Sequence, residues 1–152
     1  MAKIGFVNGC YDLFHEGHQS MLRECIRNCD HLVIAMNSDR YCRKKKGKNR
    51  PLWPWEKRFD VITDWHAAEI MDADCLLATI AIIPFEGDDM GLLMHIRPDI
   101  LFKGYDHNPG GVFYRRIGWK KARPGEKIME GPEIYHCSHV PGVSTTILAE
   151  SR

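Results

Sequence analysis

Gly9-Cys10-Tyr11-Asp12-Leu13-Phe14-His15-Glu16-Gly17-His18 is the stretch that decides how the rest of this chain is read. The apolar run Ile4 to Val7 leads into it, and behind it Met21, Leu22, Cys25 and Ile26 recur on one helical face. The pattern is a strand, a tight turn and a helix start. Such a turn presents free backbone N–H groups and the positive end of a helix dipole to whatever sits above it, and phosphate suits both. His15 and His18 stand three apart, so in the first helical turn they share a face. Two imidazoles aimed at a phosphate can stabilise charge that develops during attack at phosphorus.

Working outward, His31 to Met36 is a second apolar strand, which completes a strand–helix–strand unit with parallel strands and a right-handed crossover. Asn37-Ser38-Asp39 closes that strand at its C-terminal end, the edge where ligands of open α/β sheets gather. Arg43, Lys44, Lys45, Lys46, Lys48 and Arg50 follow. By composition alone such a run is a solvated face. Its position lets it fold over phosphates beside His15 and His18, where its cations would neutralise them. Gly47 and Pro51 predict a shaped loop there rather than a helix. Pro54 and Glu56 mark a helix start, and Phe59, Ile62, Trp65 and His66 carry the helical spacing to about Ile70. Phe59 and Trp65 read as core. Arg58 either pairs with a local carboxylate, Glu56 or Asp60, or faces a ligand.

Asp74 to Ile83 reads as a third strand, Pro84 to Asp89 as a loop, and Met90 to Ile96 as a short helix stopped before Pro98. Asp99 to Phe102 is a fourth strand and Glu133 to Ser138 a fifth. Between them, residues 107–132 are rich in Gly, Arg and Lys. Ser144 is the N-cap of a last helix, and the hydroxyls of Ser144, Thr145 and Thr146 can hold a phosphate as well as a free N–H.

The 152 residues suit one domain, 1–152, and a net charge of +1 argues against nucleic acid as the main partner. No run is long and apolar enough to span a membrane, and Met1-Ala2-Lys3 lacks the layout of a signal peptide. The six cysteines are scattered without a C-x-x-C pair, which predicts reduced thiols and a cytoplasmic setting. A zinc site built on His15, His18 and Cys10 is disfavoured by spacing and setting, and no protein-held metal is expected.

The H-x-G-H of residues 15–18, behind Gly9-Cys10-Tyr11-Asp12, resembles the signature of the nucleotidylyltransferases. The similarity extends to Lys46-Gly47…Arg50-Pro51, to Pro54-x-Glu56-x-Arg58 and to Gly142-x-Ser144-Thr145-Thr146. Lys103-Gly104-Tyr105-Asp106 resembles the K-G-G-D-Y of heptose-phosphate adenylyltransferases, with Tyr105 in place of the second glycine. Glycerol-phosphate cytidylyltransferases carry an arginine five residues before the serine; here that residue is His139, which favours the adenylyltransferase type.

The resemblance implies a Rossmann-like, doubly wound parallel sheet of five strands, order 3-2-1-4-5, with helices on both faces. It also implies that residues 107–132 are an insertion, expected to serve as an oligomer contact or a substrate cover. It implies transfer of a nucleoside monophosphate from an NTP, ATP favoured, to a phosphorylated sugar, with release of pyrophosphate. His15 and His18 would then act on the α-phosphate and leaving group, and Lys46 would bridge the reactants, with Lys44 and Arg50 assisting beside the acceptor. Arg58, Ser144, Thr145 and Thr146 would hold the β- and γ-phosphates. Gly9, Cys10 and Tyr11 would offer backbone contacts, Asp12 would shape the turn at the acceptor side, and Lys103 and Asp106 would meet ribose or base. Mg2+ would arrive bound through the triphosphate, and a homo-oligomer is expected. The rival readings are a CTP-dependent alcohol-phosphate cytidylyltransferase, a nucleotide-binding regulator without chemistry, and an RNA-binding module using the lysine run.

Overall fold

The computed structural model describes residues 2–72, 77–87, 90–104 and 132–138. Within them the order is β1 (Ile4–Gly9), α1 (Glu16–Arg27), β2 (His31–Asn37), α2 (Asp39–Lys46), α3 (Trp55–Asp72), β3 (Thr79–Phe85), α4 (Met90–Ile96), β4 (Ile100–Lys103) and β5 (Glu133–His136). The strands form one sheet in the order β3-β2-β1-β4-β5, and every pairing is parallel. This is the fold the resemblance implied.

The period-2 alternation of the strands explains why both faces are covered. Val7, Leu32, Ile34, Met36, Ile100 and Phe102 point to one face, where Leu22, Cys25 and Ile26 of α1 and Ile62 of α3 close over them. Phe6, Ala35, Phe85 and Leu101 point to the other, against Leu93 of α4, with Tyr41 of α2 packed alongside. The strands therefore read as nearly continuous apolar runs. Gly5 is a point of close approach: a Cβ there would lie 2.5 Å from the Phe102 ring and 3.0 Å from Cys29 Sγ. Gly5→Ala is expected to cost about 1–3 kcal/mol through overpacking, read as a lower urea midpoint with an unchanged slope.

Two elements depart from the sequence expectations. Pro84, expected to begin a loop, lies inside β3 opposite Met36. The strand is at the edge of the sheet, where a missing N–H leaves the ladder intact if it faces outward. The basic run, expected as a loop, is helical through Lys46. Ser38 Oγ accepts from Tyr41 N at 3.0 Å, Asp39 occupies the first turn, and Arg43 to Lys46 fill the last turn, where cations suit the helix dipole. Gly47, at φ +104°, ends the helix, so its conformational freedom serves as a stop and not as a bend.

Candidate active site

The end of β1 runs into a turn with Tyr11 and Leu13 at φ 58° and 59°. Non-glycine residues seldom adopt that region, and surrounding structure must hold them there. Burial does so here, since Tyr11, Asp12, Leu13 and Phe14 are all enclosed. A Cβ on Gly9 would come within 3.1 Å of the Tyr11 ring, so that residue is also fixed by close approach.

The turn ends in a cap made of two histidines. His15 Nδ1 accepts from Gly17 N at 3.1 Å, and His18 Nδ1 accepts from His15 N at 3.3 Å. The rings stack with centroids 3.7 Å apart and planes 19° apart. Tyr11 meets the His18 ring edge-on and Phe14 stacks on it. Because each Nδ1 accepts, each ring proton resides on Nε2. Burial holds the His15 pKa below its ordinary 6.5, and burial, then His15, then Lys46 push His18 down to about 3. The pair is thus neutral at pH 7 and offers two Nε2–H donors.

These depressed values link folding to pH. An unfolded imidazole takes up a proton near pH 6.5, while folded His18 does not until about pH 3. The stabilisation is therefore complete above about pH 6.5 and is lost as pH falls toward 3. Urea midpoints measured between pH 7 and 5 are expected to fall with acidification, and to fall less steeply in His18→Asn.

Asp12 binds the loop that follows α2. Its Oδ2 accepts from Leu52 N at 2.8 Å and its Oδ1 from Trp53 N at 3.0 Å. Arg50 Nη1 stands 3.7 Å from the same carboxylate, and this buried nitrogen makes no hydrogen bond among the described residues. Asp12 is 2% exposed, with both oxygens engaged by this loop.

Arg58 departs furthest from its expected role. It is fully buried, and its guanidinium donates to Trp53 O, Cys10 O and Asn37 O and to Asp39 Oδ1, at 3.0, 2.7, 2.8 and 2.6 Å. It joins the ends of β1 and β2 to α2 and α3 instead of facing outward to phosphates, and its carboxylate partner is neither Glu56 nor Asp60. Lys103 is likewise buried, with Nζ donating to Asn8 Oδ1 at 3.0 Å.

Lys46 is exposed at the end of α2, near enough for its charge to lower the pKa of both His18 and Cys10. The structure therefore brings together His15, His18, Lys46 and the Gly9-Cys10-Tyr11 turn, with Arg50 behind Asp12. Lys44 is exposed on the same short helix. Asp106, Ser144, Thr145 and Thr146 lie outside the described residues, as do residues 105–131 and the last helix. The sequence reading missed Asp39 and Asn37 as partners of Arg58; an acid directly after an N-cap serine reads as a helix-dipole residue and gives no hint of a distant arginine.

Among the described residues no group of three or more His, Cys, Asp or Glu side chains could hold a metal ion. The groups around the histidine pair are donors and cations, a surface that fits phosphate oxygens rather than Mg2+ itself. A magnesium ion would fit here as the companion of a triphosphate. No helix among the described residues is long and apolar enough to cross a membrane.

A parallel sheet of order 3-2-1-4-5 with two imidazole donors at the end of its first strand defines the class, a nucleotidyltransferase. The chain belongs to the cytidylyltransferase-like family, whose family model matches residues 6–149. The bifunctional protein HldE of Acidiphilium cryptum (strain JF-5) is 37% identical over 145 residues, covering 95% of this chain and 26% of that protein. HldE of Rhodopseudomonas palustris (strain HaA2) is 33% identical over 149 residues, covering 97% of this chain and 26% of that protein. The chain thus spans about a quarter of the length of these curated relatives. A lipopolysaccharide core biosynthesis protein from Thermoplasma volcanium GSS1 shares the fold, with a TM-score of 0.61 at 23% identity, over 92% of this chain and 99% of that one.

Proposed function

We infer that this chain transfers a nucleoside monophosphate, from ATP in preference to CTP, to the phosphate of a phosphorylated sugar of the heptose-1-phosphate type. The observation that carries the reading is the pair of stacked, neutral imidazoles, each with its ring proton on Nε2, close enough to Lys46 to feel its charge. The acceptor's phosphate oxygen is already ionised near neutral pH, so it attacks without a strong base. What the protein supplies is alignment and donors for charge on the α-phosphate and on departing pyrophosphate.

His15 and His18 donate to those oxygens. Lys46 lies between the two reactants, with Lys44 and Arg50 toward the acceptor. Backbone of Gly9, Cys10 and Tyr11 lines the turn. Ser144, Thr145 and Thr146 are assigned to the β- and γ-phosphates and Asp106 to the nucleoside. Arg58, Asp12 and Lys103 are assigned to holding the site together. Mg2+ supplies charge neutralisation on the triphosphate.

The sugar and ATP preference rests on the resemblance of Lys103-Gly104 to its counterpart and on His139 standing where an arginine marks the glycerol-phosphate type. A pyrophosphate-release screen of ATP and CTP against sugar 1-phosphates and glycerol phosphate tests it. ATP with a sugar 1-phosphate is expected to give the highest rate. CTP with glycerol phosphate as the best pair would replace this reading with the cytidylyltransferase one, and binding of ATP with no release across the panel would favour a regulator. Lys46→Ala is expected to lower kcat/KM by about ten- to a hundred-fold in steady-state assays, the scale of a lost charge-assisted contact to phosphate.

A further inference from the structure

Cys10 and Cys42 form a second chemical unit at the same sheet edge. Cys10 belongs to the turn after β1 and is partly exposed; Cys42 belongs to α2 and is fully buried. Both sulfurs converge on one guanidinium nitrogen: Arg58 Nη1 is 3.9 Å from Cys10 Sγ and 3.8 Å from Cys42 Sγ. The two sulfurs therefore share one cationic neighbour. A partly exposed cysteine beside a fixed cation, with a second thiol against the same guanidinium nitrogen, is the setting of a reactive cysteine and its resolving partner.

We propose that Cys10 and Cys42 are a peroxide-sensitive dithiol that closes to a disulfide across the phosphate-facing turn. The neighbouring Cys42 side chain, then the charges of Arg58 and Lys46, hold the Cys10 thiol below its ordinary value against burial and Asp12. Cys42 is pushed the other way, by the Cys10 side chain and by burial. Cys10 is accordingly the attacking sulfur. Its thiolate attacks one oxygen of hydrogen peroxide, the O–O bond breaks, and hydroxide leaves, giving the Cys10 sulfenic acid. The Cys42 sulfur then attacks the Cys10 sulfur, the S–O bond breaks, and the Cys42 proton leaves with the hydroxyl as water. Two thiols are oxidised to one disulfide and one peroxide is reduced to two waters. The bond ties α2, and with it Lys46, to the end of β1.

The other thiols make the contrast internal to the chain. Cys29 is half-buried, and burial pushes it up to about 11. Cys25 and Cys137 lie 3.9 Å apart but are both buried, and burial raises Cys25 strongly. They are the pair that distance alone would select.

The test is a hydrogen peroxide time course on the full chain, with cross-linked peptides identified by mass spectrometry after non-reducing proteolysis. A Cys10–Cys42 linkage is expected first, reversed by dithiothreitol, with Cys10 consumed about tenfold or more faster than Cys29. In Cys42→Ala the same exposure is expected to leave a Cys10 sulfenic acid captured by dimedone. Equal rates for Cys10 and Cys29, or a Cys25–Cys137 linkage as the first product, would overturn the proposal. The wild-type arm needs no variant, and neither arm depends on which nucleotide or acceptor the enzyme uses.

Discussion

His18→Ala is expected to lower the rate of pyrophosphate release by about two to three orders of magnitude, the scale on which a pre-positioned transition-state donor is lost. The substitution removes the Nε2–H whose tautomer the Nδ1 hydrogen bond fixes. It also leaves His15 N without its cap, a local cost of about 1 kcal/mol that should leave the fold intact by circular dichroism. Single-turnover measurement would show the loss in the chemical step with nucleotide affinity changed far less. Turnover near the wild-type value would remove His18 from the mechanism.

The largest loss of stability is expected for Arg58→Ala, about 3–4 kcal/mol by urea denaturation. A fully buried guanidinium disappears, and the carbonyls of Cys10, Asn37 and Trp53 and the Asp39 carboxylate lose their donors together. Removing one partner from such an enclosed set is far costlier than never having built it. Asp39 remains about a third exposed and can be hydrated, which keeps the figure below the upper end for a broken buried pair. Arg58→Lys is expected to recover little, because one ammonium cannot reproduce the planar fork that serves four acceptors. The same variants should weaken catalysis indirectly, since α2 carries Lys46. A wild-type midpoint in Arg58→Ala would show that the network holds nothing.

The fold was largely legible because its signals are local and repeated. Apolar runs of strand length, each followed by helical spacing, give a parallel sheet, and the apolar run from Leu32 to Met36 is what burial on both faces requires. Where the reading slipped, competing local cues outweighed each other. Gly47 and Pro51 suggested a loop, but Ser38 and the terminal cations already define a helix that Gly47 ends. Pro84 looked like a breaker because an edge position cannot be known from one strand alone.

The site was legible as a place more than as a set of roles. His15 and His18 stand together at the end of β1 with Lys46 near, which their spacing and order in the chain foretold. That each imidazole also caps the helix, fixing the other nitrogen's proton, could not be read from spacing. Arg58 was misread because a sequence shows that a cation is present but not which carbonyls surround it. A lysine ending a buried strand likewise gives no sign that its ammonium bonds to Asn8.

The outer strand of the sheet has one further consequence. Among the described residues β3 is the outer strand on one long side of the sheet, and its penultimate residue is Pro84. A foreign segment laid along that margin would meet a pyrrolidine ring where an amide hydrogen is wanted. The margin is therefore self-limiting as a template: lengthening of the sheet by intruding chains, the first step of many fibrous deposits, is discouraged by one imino acid.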